Sequence, residues 1–314
     1  DSSEDYVYKH SYSSNHHELV TGLNMFLGHR LEWRLFNNKF GFALTEAIMY
    51  QSLENYVDLS ILNPAMVFHN LYIRQNANSI VSIDMDYALT KGLNLFGQLV
   101  LDEFALPGEG NPGEDVESRP NGLGYMVGVK GNKSVLDGYF YGSFEWVMTD
   151  PYLYLRDDGD NGDPAEGEDR PTYKSQELGE YGINWIVAIK RLYKNSYIIY
   201  EEEFLGYPYG GDAIVLNANF GYHSLADWTI GGNVFFMWHG THDKWTLWSI
   251  VDGENIPSVS TPTSEHYPGN NGDQDADLRD AVCRTSVFTL FGTYHLKQNL
   301  EIFGQMDFIS IKAS

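Results

Sequence analysis

The stretch Lys91-Gly-Leu-Asn-Leu-Phe-Gly-Gln-Leu-Val-Leu-Asp-Glu-Phe104 decides how the rest of the chain is read. It leaves a tight turn and alternates. Leu93, Leu95, Gly97, Leu99 and Leu101 fall on one side, and Asn94, Phe96, Gln98, Val100 and Asp102 on the other. Successive strand side chains point to opposite faces, so this is a β-strand with one apolar and one mostly polar face. In a soluble sheet the apolar face would be core. In a transmembrane barrel it would meet lipid, and the polar face would line the lumen.

The same alternation recurs on both sides of that stretch. From Glu18 to Phe36, Leu19, Leu23, Met25, Leu27, Leu31, Trp33 and Leu35 share one face, opposite Phe26, Gly28, Arg30, Glu32 and Arg34. An Asn37-Asn38 turn leads to a partner strand, 39–50. Further hairpins are predicted at 79–89 with 92–104, 121–131 with 136–149, 178–190 with 195–204, 211–223 with 227–239, and 283–296 with 299–311. Their turns are short and carry Asn, Lys or Gly. Four of the five connections between hairpins are long, spanning roughly 51–78, 105–120, 150–177 and 240–282, and three of them are rich in Asp, Glu, Gly, Pro and Asn. Short turns alternating with long loops are the pattern of an antiparallel outer-membrane β-barrel with short periplasmic turns and acidic extracellular loops. A soluble β-sandwich or propeller is the alternative.

Bulk composition agrees with an all-β class. The 314 residues include 22 Tyr and 31 Gly, and aromatics make up 15%. No apolar run reaches the ~18 residues of a membrane helix, so a membrane protein of this sequence must cross as a barrel. The net charge of -23 argues against nucleic acid as a partner and against a basic membrane anchor. One cysteine, Cys283, allows no internal disulfide. The count of about twelve strands places both ends of the chain on the long-loop side. The expectation is therefore a single barrel domain over 1–314 that lacks terminal strands.

Three stretches together resemble the capsule-assembly (Wzi-like) family of outer-membrane barrels. They are Leu31-Glu-Trp-Arg-Leu-Phe followed by Gly41–Tyr50; Leu62-Asn-Pro-Ala-Met-Val-Phe-His-Asn70 followed by Ile80–Phe104; and Leu205-Gly-Tyr-Pro-Tyr-Gly-Gly-Asp-Ala213. The resemblance follows most of the chain in order. It implies a barrel of about eighteen strands with a small periplasmic helical part near the N-terminus, which is not visible here. It further implies a lectin-like, non-enzymatic protein that helps attach a capsule-type polysaccharide to the bacterial surface.

The residues offer several candidate sites. Arg30, Glu32 and Arg34 share a face, and Glu46 on the facing strand is expected to join them in a lumen charge network or a structural ion-pair ladder. Asp102 and Glu103 sit at an outer rim, as does the run Glu201-Glu-Glu203 beside Tyr207 and Tyr209. Paired carboxylates can hydrolyse glycosides, but solvated rim acids are the plainer reading. Trp228, Trp238, Trp245 and Trp248, with Tyr72, Tyr152, Tyr154, Tyr207 and Tyr209, fit interfacial aromatic girdles. Of these Tyr207, Tyr209, Trp245 and Trp248 are the candidates for stacking on sugar, with Asp102 and Glu103 as polar contacts.

No cofactor is expected. Calcium in the acidic runs Asp158–Asp163 and Asp273–Asp277 is a weak alternative, because neither keeps the order of a calcium loop. The His16-His17 pair reads as solvated. Three function classes follow: a surface-polysaccharide binder, a channel for small polar solutes or glycans, and a structural subunit among other outer-membrane proteins. Inward Phe26, Phe96 and Phe235 argue for a filled lumen and against an open pore.

Overall fold

A computed structural model describes residues 23–52, 59–62, 77–103, 122–150, 153–154, 185–194, 197–225, 227–240, 283–297 and 300–313. Twelve strands run in chain order: β1 Leu23–Leu35, β2 Phe40–Ser52, β3 Ala77–Thr90, β4 Leu93–Glu103, β5 Gly122–Val135, β6 Gly138–Thr149, β7 Ile186–Lys194, β8 Tyr197–Phe204, β9 Ala213–Ser224, β10 Trp228–His239, β11 Cys283–Lys297 and β12 Leu300–Ala313. A short 3-10 helix covers Leu59–Leu62. The fold is all-β and antiparallel, as expected.

Ten of these strands form one sheet in the order β1-β2-β3-β4-β5-β6-β9-β10-β11-β12. Twelve strands are present among the described residues, but they do not all join one wall. β6 pairs directly with β9, Gly138 opposite Ser224 and Thr149 opposite Ala213, and β7–β8 is a separate two-stranded hairpin. Local alternation in β7 and β8 resembles that of the wall strands, but pairing is a non-local property and bypasses them. β1 and β12 end the sheet, and among the described residues neither has a second strand partner.

The turns follow the backbone preferences of their residues. At the β1–β2 turn Phe36, Asn37 and Asn38 all take positive φ, a region in which Asn is several-fold enriched. Gly92 closes the β3–β4 turn at φ 82°, where its carbonyl accepts the Asn132 N–H at 2.8 Å. The β5–β6 hairpin runs further than its sequence suggested. Asn132–Ser134 stay in β5, and the turn moves to Leu136-Asp137. The Tyr222 hydroxyl, 2.9 Å from Asp137 and 3.1 Å from the Val135 carbonyl, anchors that tip.

Register fixes the two faces. One carries Leu31, Leu35, Met85, Leu95, Val127, Phe144, Phe220, Ile230, Leu290, Ile302, Met306 and Phe308, all exposed. Leu31 is 58% exposed, Ile230 57% and Leu290 58%, where a soluble protein would cover such a face. Aromatics collect on this face toward the short-turn end: Trp33 lies against Phe42 at 5.6 Å and Tyr222 against Trp228 at 5.2 Å. This is the face of Leu95, Leu99 and Leu101, and the alternation of 93–101 is read correctly.

The opposite face is polar along its middle and packed at the long-loop end. There Met49, Ile80, Leu153, Tyr154 and Trp185 form a buried cluster with Val100, Phe204, Leu205 and Tyr207 around it. Trp185 meets Phe26 of β1 edge to face at 5.7 Å, and Tyr209 meets Phe235 of β10 at 5.3 Å. A segment that touches β1 at one side and β10 at the other has the sheet curved around it. The polar face is therefore the inner face.

Candidate functional site

The inner face divides into two regions. Across β1–β4 it is a charged ladder. The Arg30 guanidinium donates to Asp84 at 2.7 Å and to the Thr45 hydroxyl at 2.9 Å. Arg34 donates to Asp86 at 2.9 Å. Glu32 lies between them, 3.8 Å from Arg30 and 3.6 Å from Arg34. Gln98 donates to Asp84 at 2.6 Å, and Asn94 to Asp86 at 3.5 Å. The flanking of Glu32 by two arginines matches expectation.

Glu46 does not belong to this ladder. Arg30 stands opposite Thr45, and Glu46 stands opposite His29 on the outward face, where it is buried. The β1–β2 register pairs even numbers with odd ones, so an even residue of β2 cannot share the face of Arg30. The carboxylates that do meet the arginines, Asp84 and Asp86, come from β3, one strand beyond the hairpin partner.

Across β6, β9 and β10 the inner face is uncharged apart from Glu145, and a ledge lies over it. The ledge is the segment 205–212, which joins β8 to β9. Gly210, at φ 72°, lets the turn close, and its N–H donates to the Tyr207 carbonyl at 2.9 Å. A side chain at Gly206 would collide with the Tyr154 ring, so the backbone lies flat on that ring. The Tyr154 hydroxyl in turn accepts the Tyr207 N–H at 2.9 Å. Burial, only partly opposed by that bond, pushes the Tyr154 phenol up to about 12.

Two aspartates brace the ledge. Asp102 accepts the Tyr154 N–H at 2.7 Å, so this predicted sugar contact is committed to the backbone. Asp150 accepts the Leu123 N–H at 3.1 Å, and its own carbonyl accepts the Asp212 N–H at 3.1 Å. Burial raises the Asp150 carboxyl to about 6; the Leu123 bond opposes the rise and the charge of Asp212 adds to it.

On the ledge, Tyr207 and Tyr209 meet edge to face at 5.5 Å. His239 reaches the Tyr209 carbonyl at 3.1 Å from β10. With Glu145, Asn217, Asn233, Phe235 and Met237 they line a hollow of 640 Å³. Asn233 donates to Asn217 at 2.7 Å, fixing one amide pair at its floor. Burial, with the Glu145 carboxylate beside it, raises the Tyr207 phenol well above its ordinary range, so it is a neutral hydroxyl.

The expectation that Tyr207 and Tyr209 stand on an outer loop is thus revised: they point inward, beside wall residues that sequence reasoning did not single out. Trp245, Trp248, the two acidic runs and His16-His17 lie outside the described residues, and nothing is described of the Glu103 side chain. Phe96 and Phe235 face inward as expected, Phe96 across Gly128, where any side chain would meet its ring.

No protein-family model and no curated protein matches the sequence. Among solved structures the chain is similar to Wzi, whose structure is described as an outer membrane protein involved in group 1 capsule assembly in Escherichia coli and a carbohydrate-binding β-barrel. The TM-score is 0.48 and the identity 8%, over 91% of this chain and 48% of that one. The chain spans about half the length of that protein.

Proposed function

We propose that the chain forms wall of a bacterial outer-membrane β-barrel and binds a surface polysaccharide at the inward ledge, without covalent chemistry. The observation that carries this reading is the Tyr207–Tyr209–Phe235 group over an Asn217–Asn233 amide pair. Sugars offer apolar C–H faces and hydroxyl edges together. Aromatic rings take the faces, and amides both donate to and accept from the edges. The apolar outer face supports lipid as the surrounding medium, since so much exposed Leu, Ile and Phe on one side of a sheet has no soluble counterpart.

Purified protein in detergent, tested on a glycan array and by calorimetry with the best-binding glycan, checks the ledge. Tyr209→Ala is expected to weaken binding about tenfold or more, in line with a central aromatic contact. Unchanged binding would remove the ledge from the site. A second reading, passage of small polar solutes, is favoured by the polar inner face that continues toward the short turns. It predicts a stable single-channel conductance in planar bilayers, whereas the binding reading predicts none.

A further inference from the structure

The ledge is not the only hollow on the inner face. Toward the short-turn end a second one, 540 Å³, lies between β4, β5, β6 and β9. Asn94, Lys130, Asn132, Tyr141, Ser143 and Asn219 line it. Register places Asn94 opposite Lys130, Lys130 opposite Ser143, and Ser143 opposite Asn219, so one row of side chains crosses four strands.

Three features of this row are unspent. Lys130 has no carboxylate within ion-pair distance among the described residues, although the chain carries a net charge of -23. Its ammonium rests 5.6 Å from the centre of the Phe96 ring. This contrasts with Arg30 and Arg34, each held by an aspartate on the same face. The second and third features are the carboxamide oxygens of Asn94 and Asn219, both shut from solvent and without a hydrogen-bond partner. A buried acceptor left unpaired is unfavourable, and a small rotation of either amide toward the hollow would let a ligand hydroxyl satisfy it. The Asn94 amide N–H already donates to Asp86 at 3.5 Å, which leaves its oxygen for another donor.

We propose that this hollow is a second saccharide subsite, selective for an acidic sugar residue, a hexuronate within a glycan chain. The Lys130 ammonium takes the carboxylate. The Asn94 and Asn219 oxygens accept sugar hydroxyls, Ser143 and Asn132 donate to and accept from the same edge, and the Tyr141 ring offers an apolar surface. A neutral sugar would leave Lys130 with only its aromatic contact. A plain anion would leave both amide oxygens unpaired. The subsite is built from wall residues alone and does not depend on the Tyr207–Tyr209 ledge.

The test is calorimetry on the detergent-solubilised protein with tetragalacturonate and maltotetraose as probes. Wild type is expected to bind tetragalacturonate at least about tenfold more tightly, with the preference shrinking in high salt. Lys130→Met is expected to abolish the preference and leave maltotetraose binding unchanged. Ser143→Asp places a carboxylate directly opposite Lys130 as an internal counter-ion and is expected to do the same, so a folding defect in one variant leaves the other to decide. Tyr209→Ala is expected to leave the acid preference intact, which separates this subsite from the ledge. Failure of wild type to discriminate the probes, or full acid preference in either Lys130→Met or Ser143→Asp, overturns the proposal.

Discussion

The two regions of the inner face solve the same problem in opposite ways. Over β1–β4 every arginine has a carboxylate: Arg30 with Asp84, Arg34 with Asp86, and Glu32 shared. Over β6, β9 and β10 the wall offers amides, hydroxyls and aromatics; one hollow opens there, and the other lies where this region meets β4 and β5. A ladder whose charges cancel has little left to offer a ligand. A surface of amides and rings with open space in front of it has unspent hydrogen bonds and apolar area. On the proposed reading the difference puts binding on the second region and leaves the first to structure. Charge that is already paired therefore does not mark a site.

The contrast presupposes that both regions face away from lipid, and the strongest way to break it uses two neighbours on β4. Leu99 and Gln98 are adjacent in sequence and opposite in direction. Leu99→Lys would carry a charge into the hydrocarbon and is expected to cost ~2–4 kcal/mol of folding stability in phospholipid vesicles, read by urea titration. Gln98→Lys would set the same charge beside Asp84 and is expected to cost less than about 1 kcal/mol. Equal effects would mean that the apolar face does not meet lipid.

The next largest effect concerns how the ledge is held. Asp150 carries a folded pKa of about 6 against an ordinary 3.8. A carboxyl raised on folding favours the protonated form. Its contribution is therefore fully present below the unfolded value and is lost as pH rises from about 4 through about 6. The shift corresponds to ~1–3 kcal/mol at neutral pH. Asp150→Asn keeps an oxygen for the Leu123 N–H and removes the buried charge. It is expected to stabilise the protein by that amount at pH 7 and to flatten the dependence between pH 4 and 6, as followed by thermal unfolding. A variant that loses stability at pH 7 would show the charged form to be the one that braces the ledge.

These effects also explain what was legible in the sequence. The faces of β4 were, because alternation is local and outward and inward residues differ in chemistry. Glu46 was not: its face depends on how the 36–39 turn sets the register, and one residue of difference turns a strand over. Asp84 and Asp86 were missed for a related reason, since β3 reaches β1 only across β2. β7 and β8 carry the same alternation as the wall. Only pairing, with β6 bonded to β9, excludes them from it, and pairing across an intervening hairpin leaves no periodic signal. The ledge was half legible. Tyr207 and Tyr209 stood out as loop aromatics, but their inward direction comes from the Tyr154 hydroxyl, Gly206 and Gly210.

The smallest expected effect sharpens the contrast most directly, because it asks whether the ladder does anything besides cancel charge. Asp84→Asn removes the closest partner of Arg30, yet the guanidinium keeps the Thr45 hydroxyl at 2.9 Å and Glu32 at 3.8 Å. Half of the Arg30 side chain is already exposed, so water replaces much of what the carboxylate supplied. The cost to folding is expected to stay below about 1 kcal/mol and to shrink further in 0.5 M salt. Glycan affinity is expected to match wild type, because Asp84 lines neither hollow and β3 reaches them only through Ala88 and Thr90. If Asp84→Asn folds normally but loses glycan binding, the ladder contacts ligand, and cancelled charge would not be the sign of a purely structural surface in this sheet.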